Sequence, residues 1–295
     1  MFNDNEATHQ DLVAKVVARP EFAGTLHDNK TAQSLGYPAA LVPGIDIYAY
    51  LSSFALKSWG ADWLIKGTLM STSLRPVYHE DRLIVSATAA QRRNDTKIVD
   101  LTAHKADSVL VATGRATLAD ETNEAPDPSV FPILARPFEV PPGGPESLQK
   151  GMSFTSVSET VSGSDNARIS KEFLEPSPFY EAQGIVHPAY LQRLALRNAH
   201  SSFAHSTPPI FISTDTTNFS PLHVGETIDT PGFITKLWER NGHHYMESEQ
   251  LVVANGKRPV LLIRRVTIYQ ARKDSSSRAP DSQKVKSDTK ASSYK

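Results

Sequence analysis

The chain has 295 residues and no cysteine. That absence excludes disulfides, thiolate metal sites and cysteine nucleophiles, and says little about compartment. An excess of charge of one sign is also lacking. The formal net charge is −1, so no strong field points to nucleic acid or an anionic membrane. No window approaches the ~18 apolar residues of a membrane-crossing helix. The opening residues, MFNDNEATHQDLVAK, carry no apolar signal region. A soluble, cytoplasmic protein with no nucleic-acid or membrane partner is expected. Hydrophobic residues make up 39%, somewhat few for a globular protein. The length still allows one large domain or two ordinary ones, with a real core.

What is present is organised around Leu26–Leu51, LHDNKTAQSLGYPAALVPGIDIYAYL. Polar residues able to do chemistry come first. Gly36-Tyr37-Pro38 and Pro43-Gly44 follow, where proline suits the first turn of a helix. Ile45, Tyr48, Leu51, Phe54 and Ala55 then recur at helical spacing, predicting one apolar face that ends near Gly60. Before this stretch, Leu12, Val13, Val16 and Val17 fit either a short helix or a strand. After it, Leu69–Leu74, Arg82–Ala90, Lys97–His104 and Ser108–Leu118 read as antiparallel strands. Residues 120–147 are so rich in proline that regular structure is excluded.

The second half repeats the order. Thr155–Val161 reads as a strand, and YEAQGIVHPAYLQRLALRNA, Tyr180 to Ala199, as a weaker copy of the helical stretch. Strands are expected at Pro209–Thr214, Glu226–Trp238, His244–Ala254 and Pro259–Tyr269. Asn241-Gly242 and Asn255-Gly256 mark hairpins, because both residue types accept positive φ. Pro76 aligns with Pro221 at an offset of 145, and Val42-Pro43-Gly44 with Val186-His187-Pro188 at 144. Repetition of this length means two copies of one fold unit. The expected division is a first repeat over 1–119, a linker over 120–150, a second repeat over 151–270 and a disordered tail over 271–295.

An α+β chain with a long helix wrapped by an antiparallel sheet, twice over, looks like a double hotdog. Its details resemble the MaoC-like family of acyl dehydratases and enoyl-thioester hydratases. The residues that carry the resemblance are His27, Asp28, Ala32, Gly36, Tyr37 and Val42-Pro43-Gly44. Leu74-Arg75-Pro76 with His79-Glu80-Asp81 adds to it, as does Phe219-Ser220-Pro221 with Val224-Gly225-Glu226. The resemblance covers roughly residues 20–120 and 155–270. It implies an acyl substrate on coenzyme A or acyl carrier protein, no metal and no cofactor. It also implies water added or removed by an Asp and a His, with backbone N–H groups holding the thioester carbonyl. The family's Asp lies about five residues before its His. Five before His27 is Phe22, so the first loop keeps the His and lacks its partner. In the second half Asp165-Asn166 suits the Asp position, and Ser170 then stands at the His position.

The candidate catalytic residues are therefore His27, Asp28, His187 and Asp165. Tyr37, Gly44, Tyr48 and Tyr180 are candidates for binding substrate. Each has a plainer reading. Asp28 caps a helix, Asp165 sits in a Ser-Gly-Ser-Asp-Asn turn, His187 packs at a turn, and the tyrosines belong to the core. Asp46 reads as a complement to a helix dipole, and Arg264-Arg265 as a solvated strand edge or a phosphate contact. The functional expectation is a hydratase or dehydratase with His27 as the main proton-transfer residue. An isomerising or ring-closing enzyme on the same scaffold and a non-catalytic acyl-binding protein are the alternatives. Assembly as a pseudo-dimeric monomer or as a homodimer is expected.

Overall fold

The computed structural model describes residues 6–272. Most of the tail expected at 271–295 lies outside these. In chain order the first half runs β1 (Thr8–Val13), a 3-10 turn at Pro20–Phe22, α1 (Asn29–Ser34), α2 (Gly44–Trp59), a 3-10 turn at Gly60–Asp62, α3 (Trp63–Lys66), β2 (Gly67–Ser73), β3 (Arg82–Ala87), β4 (Gln91–Arg93), β5 (Thr96–Lys105) and β6 (Leu110–Ala119). The second half runs β7 (Glu159–Thr160), α4 (Gly163–Glu172), α5 (Phe179–Ala182), α6 (Pro188–Ser201), β8 (Ile210–Asn218), β9 (Thr227–Asp229), β10 (Gly232–Arg240), β11 (His243–Ala254) and β12 (Arg258–Gln270). Between Ala119 and Glu159 the described chain holds one 3-10 turn, Pro128–Val130. Among the described residues no helix is long and apolar enough to cross a membrane.

The twelve strands of the described residues join one sheet, ordered β1-β3-β5-β6-β2-β8-β12-β11-β9-β7, with β4 on β5 and β10 on β11. The order is a palindrome about the antiparallel pair β2–β8, where Leu69 faces Thr216 and Ser71 faces Thr214. Similar hydrogen bonds occur in the two halves of the chain. Val42 N–H donates to Val77 O at 2.8 Å, and Val186 N–H to Leu222 O at 2.8 Å. Leu74 and Arg75 share the Val111 carbonyl, while Phe219 and Ser220 share that of Val260. The fold is mixed α+β, with central helices against an antiparallel sheet.

Helix α2 departs from the expected one-sided pattern. Every residue from Ile45 to Leu56 is buried, including Asp46, Ser52 and Ser53. The two serine hydroxyls fold back on the carbonyls of Ala49 and Tyr50, at 2.9 Å each, so they need no solvent. The helix is enclosed because the sheet covers one side and α6 packs on another. The core is shared: α2 residues Tyr48, Leu51 and Phe54 belong to the same cluster as α6 residues Leu191, Leu194 and Ala195.

Of the two forms left open for the first apolar patch, Leu12 and Val13 take the strand, β1. Three other expectations are corrected. Only Glu159–Thr160 of the expected strand at Thr155–Val161 forms. Its upstream amides go elsewhere, with Thr155 N–H on Ser202 Oγ at 2.8 Å and Ser156 N–H on Leu134 O at 2.8 Å. The expected strand Glu226–Trp238 breaks in two at Thr230-Pro231, where proline offers no ladder donor. Arg265 is buried, since β12 lies inside the sheet; Arg264 is exposed and paired with Glu249 at 2.7 Å. Burial without an acid partner drives the Arg265 guanidinium down to about 9.

Candidate functional site

The polar loop before α2 is tied back onto the helix it feeds. Leu41 N–H donates to Leu26 O at 2.9 Å, and the His27 ring nitrogen Nδ1 lies 2.7 Å from Leu41 O. A carbonyl only accepts, so Nδ1 carries the proton and the tautomer is fixed. Nε2 is left with its lone pair free. Burial, more than the nearby Arg19, holds the imidazole below its ordinary pKa, and the Leu41 bond opposes this. His27 is therefore a neutral imidazole presenting a base.

His27 is on the wall of a cavity of about 1430 Å³ between the two halves. The cavity is walled by the 17–27 segment, the first turn of α2, the Ser73–Val77 connection, one face of α4, α6 and the start of β8. Pro43 caps α2 without a side-chain bond. Gly44 and Ile45 belong to the cavity wall, and their N–H groups have no helical acceptor ahead of them. A side chain at residue 44 would not fit, because its Cβ would stand 2.3 Å from Phe211 Cδ1 on β8. Glycine there lets a ring from the second half lie against the helix start of the first.

Three of the eight sequence-derived candidates line this cavity: His27, Tyr37 and Gly44. The other five do not. Asp28 caps α1, accepting from Thr31 N at 2.8 Å and Thr31 Oγ1 at 2.7 Å, and those bonds lower its pKa. Asp165 is the acid of a capping box with Ser162 on α4, and the Ser162 hydroxyl bond is the main reason its pKa is lowered. His187 is completely buried. Its Nδ1 accepts from Ala189 N–H at 3.1 Å as the N-cap of α6. Its ring packs on Tyr180 at 4.4 Å and Phe173 at 5.0 Å. Tyr48 is buried with its hydroxyl 3.1 Å from Thr216 Oγ1, and the Tyr180 hydroxyl is buried with no partner. Burial pushes both tyrosines up. Where the first half opens onto a cavity at its helix start, the second half is filled by aromatic rings.

Sequence reasoning missed a buried ionic cluster on the cavity wall. Glu172 of α4 lies 2.8 Å from Arg193 Nη1 of α6 and 2.8 Å from Arg19 Nη2, and also pairs with Arg168. Burial would raise the Glu172 carboxyl, but these cations hold it low. Asp46, 2% exposed, stands 3.6 Å from Arg193 Nη2. Burial outweighs Arg193 and Arg19 there, and the carboxyl is raised to about 6. It is more than a complement to the helix dipole. The sequence signal was an acid between isoleucines in the apolar first turns of α2. His200, in the last turn of α6, also lines the cavity; burial, then His205 and Arg265, drives it down to about 3. Among the described residues no group of three or more His, Asp or Glu could hold a metal ion.

Asp46 gives a pH signature. Its folded pKa lies above the ordinary carboxylate value, so the folded state binds this proton more tightly than the unfolded state. Stability conferred in acid is then lost as pH rises from about 4 to 6, by up to about 3 kcal/mol. Urea unfolding across that window should show a negative slope that Asp46→Asn flattens. An unchanged slope in the variant would mean that the carboxyl titrates normally.

No known family profile matches the sequence, and no curated protein matches it. Solved structures do match in fold. A MaoC-like dehydratase superposes with a TM-score of 0.61 at 14% identity, covering 90% of this chain and 98% of that one. A conserved hypothetical protein of Mycobacterium tuberculosis, described as a double hotdog, gives 0.57 at 16%, covering 90% and 96%. A candidate oleoyl thioesterase of Lactobacillus plantarum gives 0.52 at 9%, covering 91% and 98%. The fold is a hotdog fold. At these identities the likeness concerns the fold, and hotdog scaffolds carry both dehydratase and thioesterase names. The hotdog elements that matter here are the central helix α2 and the loop folded over its start.

Proposed function

We propose that the chain is a double hotdog enzyme acting on an acyl thioester or a related polyketide-like molecule, as a hydratase or dehydratase. The repeats over 1–119 and 151–270 pair internally, so one chain supplies both walls of the site. The observation that carries this reading is His27: an imidazole with a fixed tautomer and a lowered pKa, on the wall of a large cavity that also includes the first turn of a buried helix.

In hydration, His27 Nε2 takes a proton from water as the water oxygen bonds to the β-carbon. The electrons of the double bond move to the α-carbon and the thioester oxygen, leaving an enolate. The N–H groups of Gly44 and Ile45 stabilise that oxygen. The α-carbon then collects a proton, returned by the imidazolium or brought by a second acid, and the reverse sequence is dehydration. Tyr37 on the same wall supports substrate placement.

Phe22 favours a second reading. Its ring packs 5.0 Å from that of His27, where the resemblance would have an acid. With one proton-transfer group, isomerisation or ring closure by addition of a substrate hydroxyl needs no water to be activated. The test is hydration of trans-2-enoyl-coenzyme A over a range of acyl lengths by the native chain. Turnover supports the lyase. No turnover at any length counts against it and favours the one-proton reactions.

A further inference from the structure

The segment from Val17 to Thr25 crosses the cavity as a strap. Val17 to Phe22 form an unbroken stretch of its wall, and Thr25 adds to it. Yet no residue from Val17 to Thr25 is buried. The backbone bonds of the strap are local. Phe22 N–H donates to Arg19 O at 3.0 Å, Ala23 N–H to Pro20 O at 3.2 Å, and Thr25 N–H to Phe22 O at 3.0 Å. Gly24 turns the chain with a positive φ of 75° and open space around it. The anchors lie at the two ends. Val16 N–H donates to His79 Nδ1 at 3.0 Å, and Leu41 N–H to Leu26 O at 2.9 Å. Exposed residues with local bonds mark a segment able to open by itself.

Arg19 is what ties the middle of the strap down. Its Nη2 stands 2.8 Å from Glu172 Oε2 on α4, the one ion pair from the strap to the second half among the described residues. We propose that the strap is a lid on the cavity, latched to the second half by Arg19 on Glu172, and that it lifts to admit a ligand. The latch is poised to release. The Arg19 side chain is 8% exposed, and none of its guanidinium nitrogens makes an aligned hydrogen bond. Burying a cation with idle donors is costly. Lifting the strap breaks one attraction and returns those donors to water, so the two changes oppose each other. Glu172 keeps Arg193 at 2.8 Å and also Arg168 when Arg19 leaves, so α4 stays in place. Phe22 belongs to the strap, and its ring packs 5.0 Å from Arg19 and 5.0 Å from the His27 ring. Opening therefore uncovers the imidazole. The lid concerns access and does not rest on the acyl-thioester reading above.

Two measurements on the full chain test this without any substrate. Hydrogen exchange reads the latch. In the native chain the Phe22, Ala23 and Thr25 amides should exchange well before those of the β2–β8 seam, because local opening costs less than global unfolding. Arg19→Gln should speed the strap amides roughly tenfold, as loss of one charge-assisted contact does, and leave the seam amides unchanged. Thiol modification reads access. The chain has no cysteine, so Val42→Cys, on the cavity wall at a position 7% exposed, supplies a single thiol to react with dithiobis(nitrobenzoate). Adding Arg19→Gln should speed that reaction by a similar factor. Strap amides indifferent to Arg19→Gln would overturn the latch. Strap and seam amides accelerated together would also overturn it, by making Arg19 a support of the whole fold. A thiol rate unmoved while the strap amides speed up would overturn the lid, since the strap would then open onto nothing.

Discussion

His27→Ala is expected to lower kcat/KM for the proposed enoyl-thioester reaction by about 10² to 10⁴, while leaving the folded state largely intact. The side chain is only partly buried and makes one hydrogen bond, to Leu41 O. Its loss leaves that carbonyl unpaired and costs about 1 kcal/mol. Two controls separate chemistry from loop displacement. His27→Gln preserves a group that can reach Leu41 and should be nearly as inactive, since an amide is no base. The native pH profile carries the second. A base with a lowered pKa stays deprotonated below the usual histidine range. Activity should therefore persist on acidification past that range and fall only below the lowered value. Full activity in both variants would remove His27 from the mechanism.

Arg193→Met should have the largest effect on stability, about 3 to 5 kcal/mol at neutral pH, as removal of one partner from a buried ion pair does. Methionine keeps much of the contact with Phe173. It also leaves Asp46 facing only Arg19 and takes from Glu172 one of its three cations. The loss should grow between pH 5 and 8, because the Asp46 carboxyl, already raised to about 6, rises further without Arg193 and must ionise in a buried site. Adding Asp46→Asn should recover part of the loss. The double variant is then less destabilised than the sum of the singles, by urea unfolding. Strict additivity would mean that Asp46 and Arg193 do not interact, despite standing 3.6 Å apart.

The fold was legible where the chain's local chemistry decides the backbone. Pro43-Gly44 starts α2, and Asn241-Gly242 and Asn255-Gly256 turn their hairpins with positive φ. The offset between Pro76 and Pro221 reflects the paired bonds of Val77 and Leu222. Legibility ended where distant segments choose the partners. Arg265 reads like any charged strand residue until β8 and β11 close on both sides of β12. Thr155 has strand character but spends its amide on Ser202.

The site divides the same way. His27 was readable because its loop, Gly44 and the helix are contiguous. Arg19, Asp46, Glu172 and Arg193 are scattered along the chain and meet only because β2 pairs with β8 and brings α2 against α6. His187 shows the converse. It has the right residue type at a helix start, but Phe173 and Tyr180 occupy the space a ligand would need.

The palindromic sheet has a consequence for how the molecule comes apart. Its midline is the β2–β8 seam, where Thr216 Oγ1 donates to the Leu69 carbonyl at 3.0 Å and the helices behind share one core. Melting either half would strip its neighbour of a strand partner and a wall of apolar side chains together. The two halves are therefore expected to unfold as one cooperative unit, and fragments cut in the proline-rich crossing should persist only by holding each other.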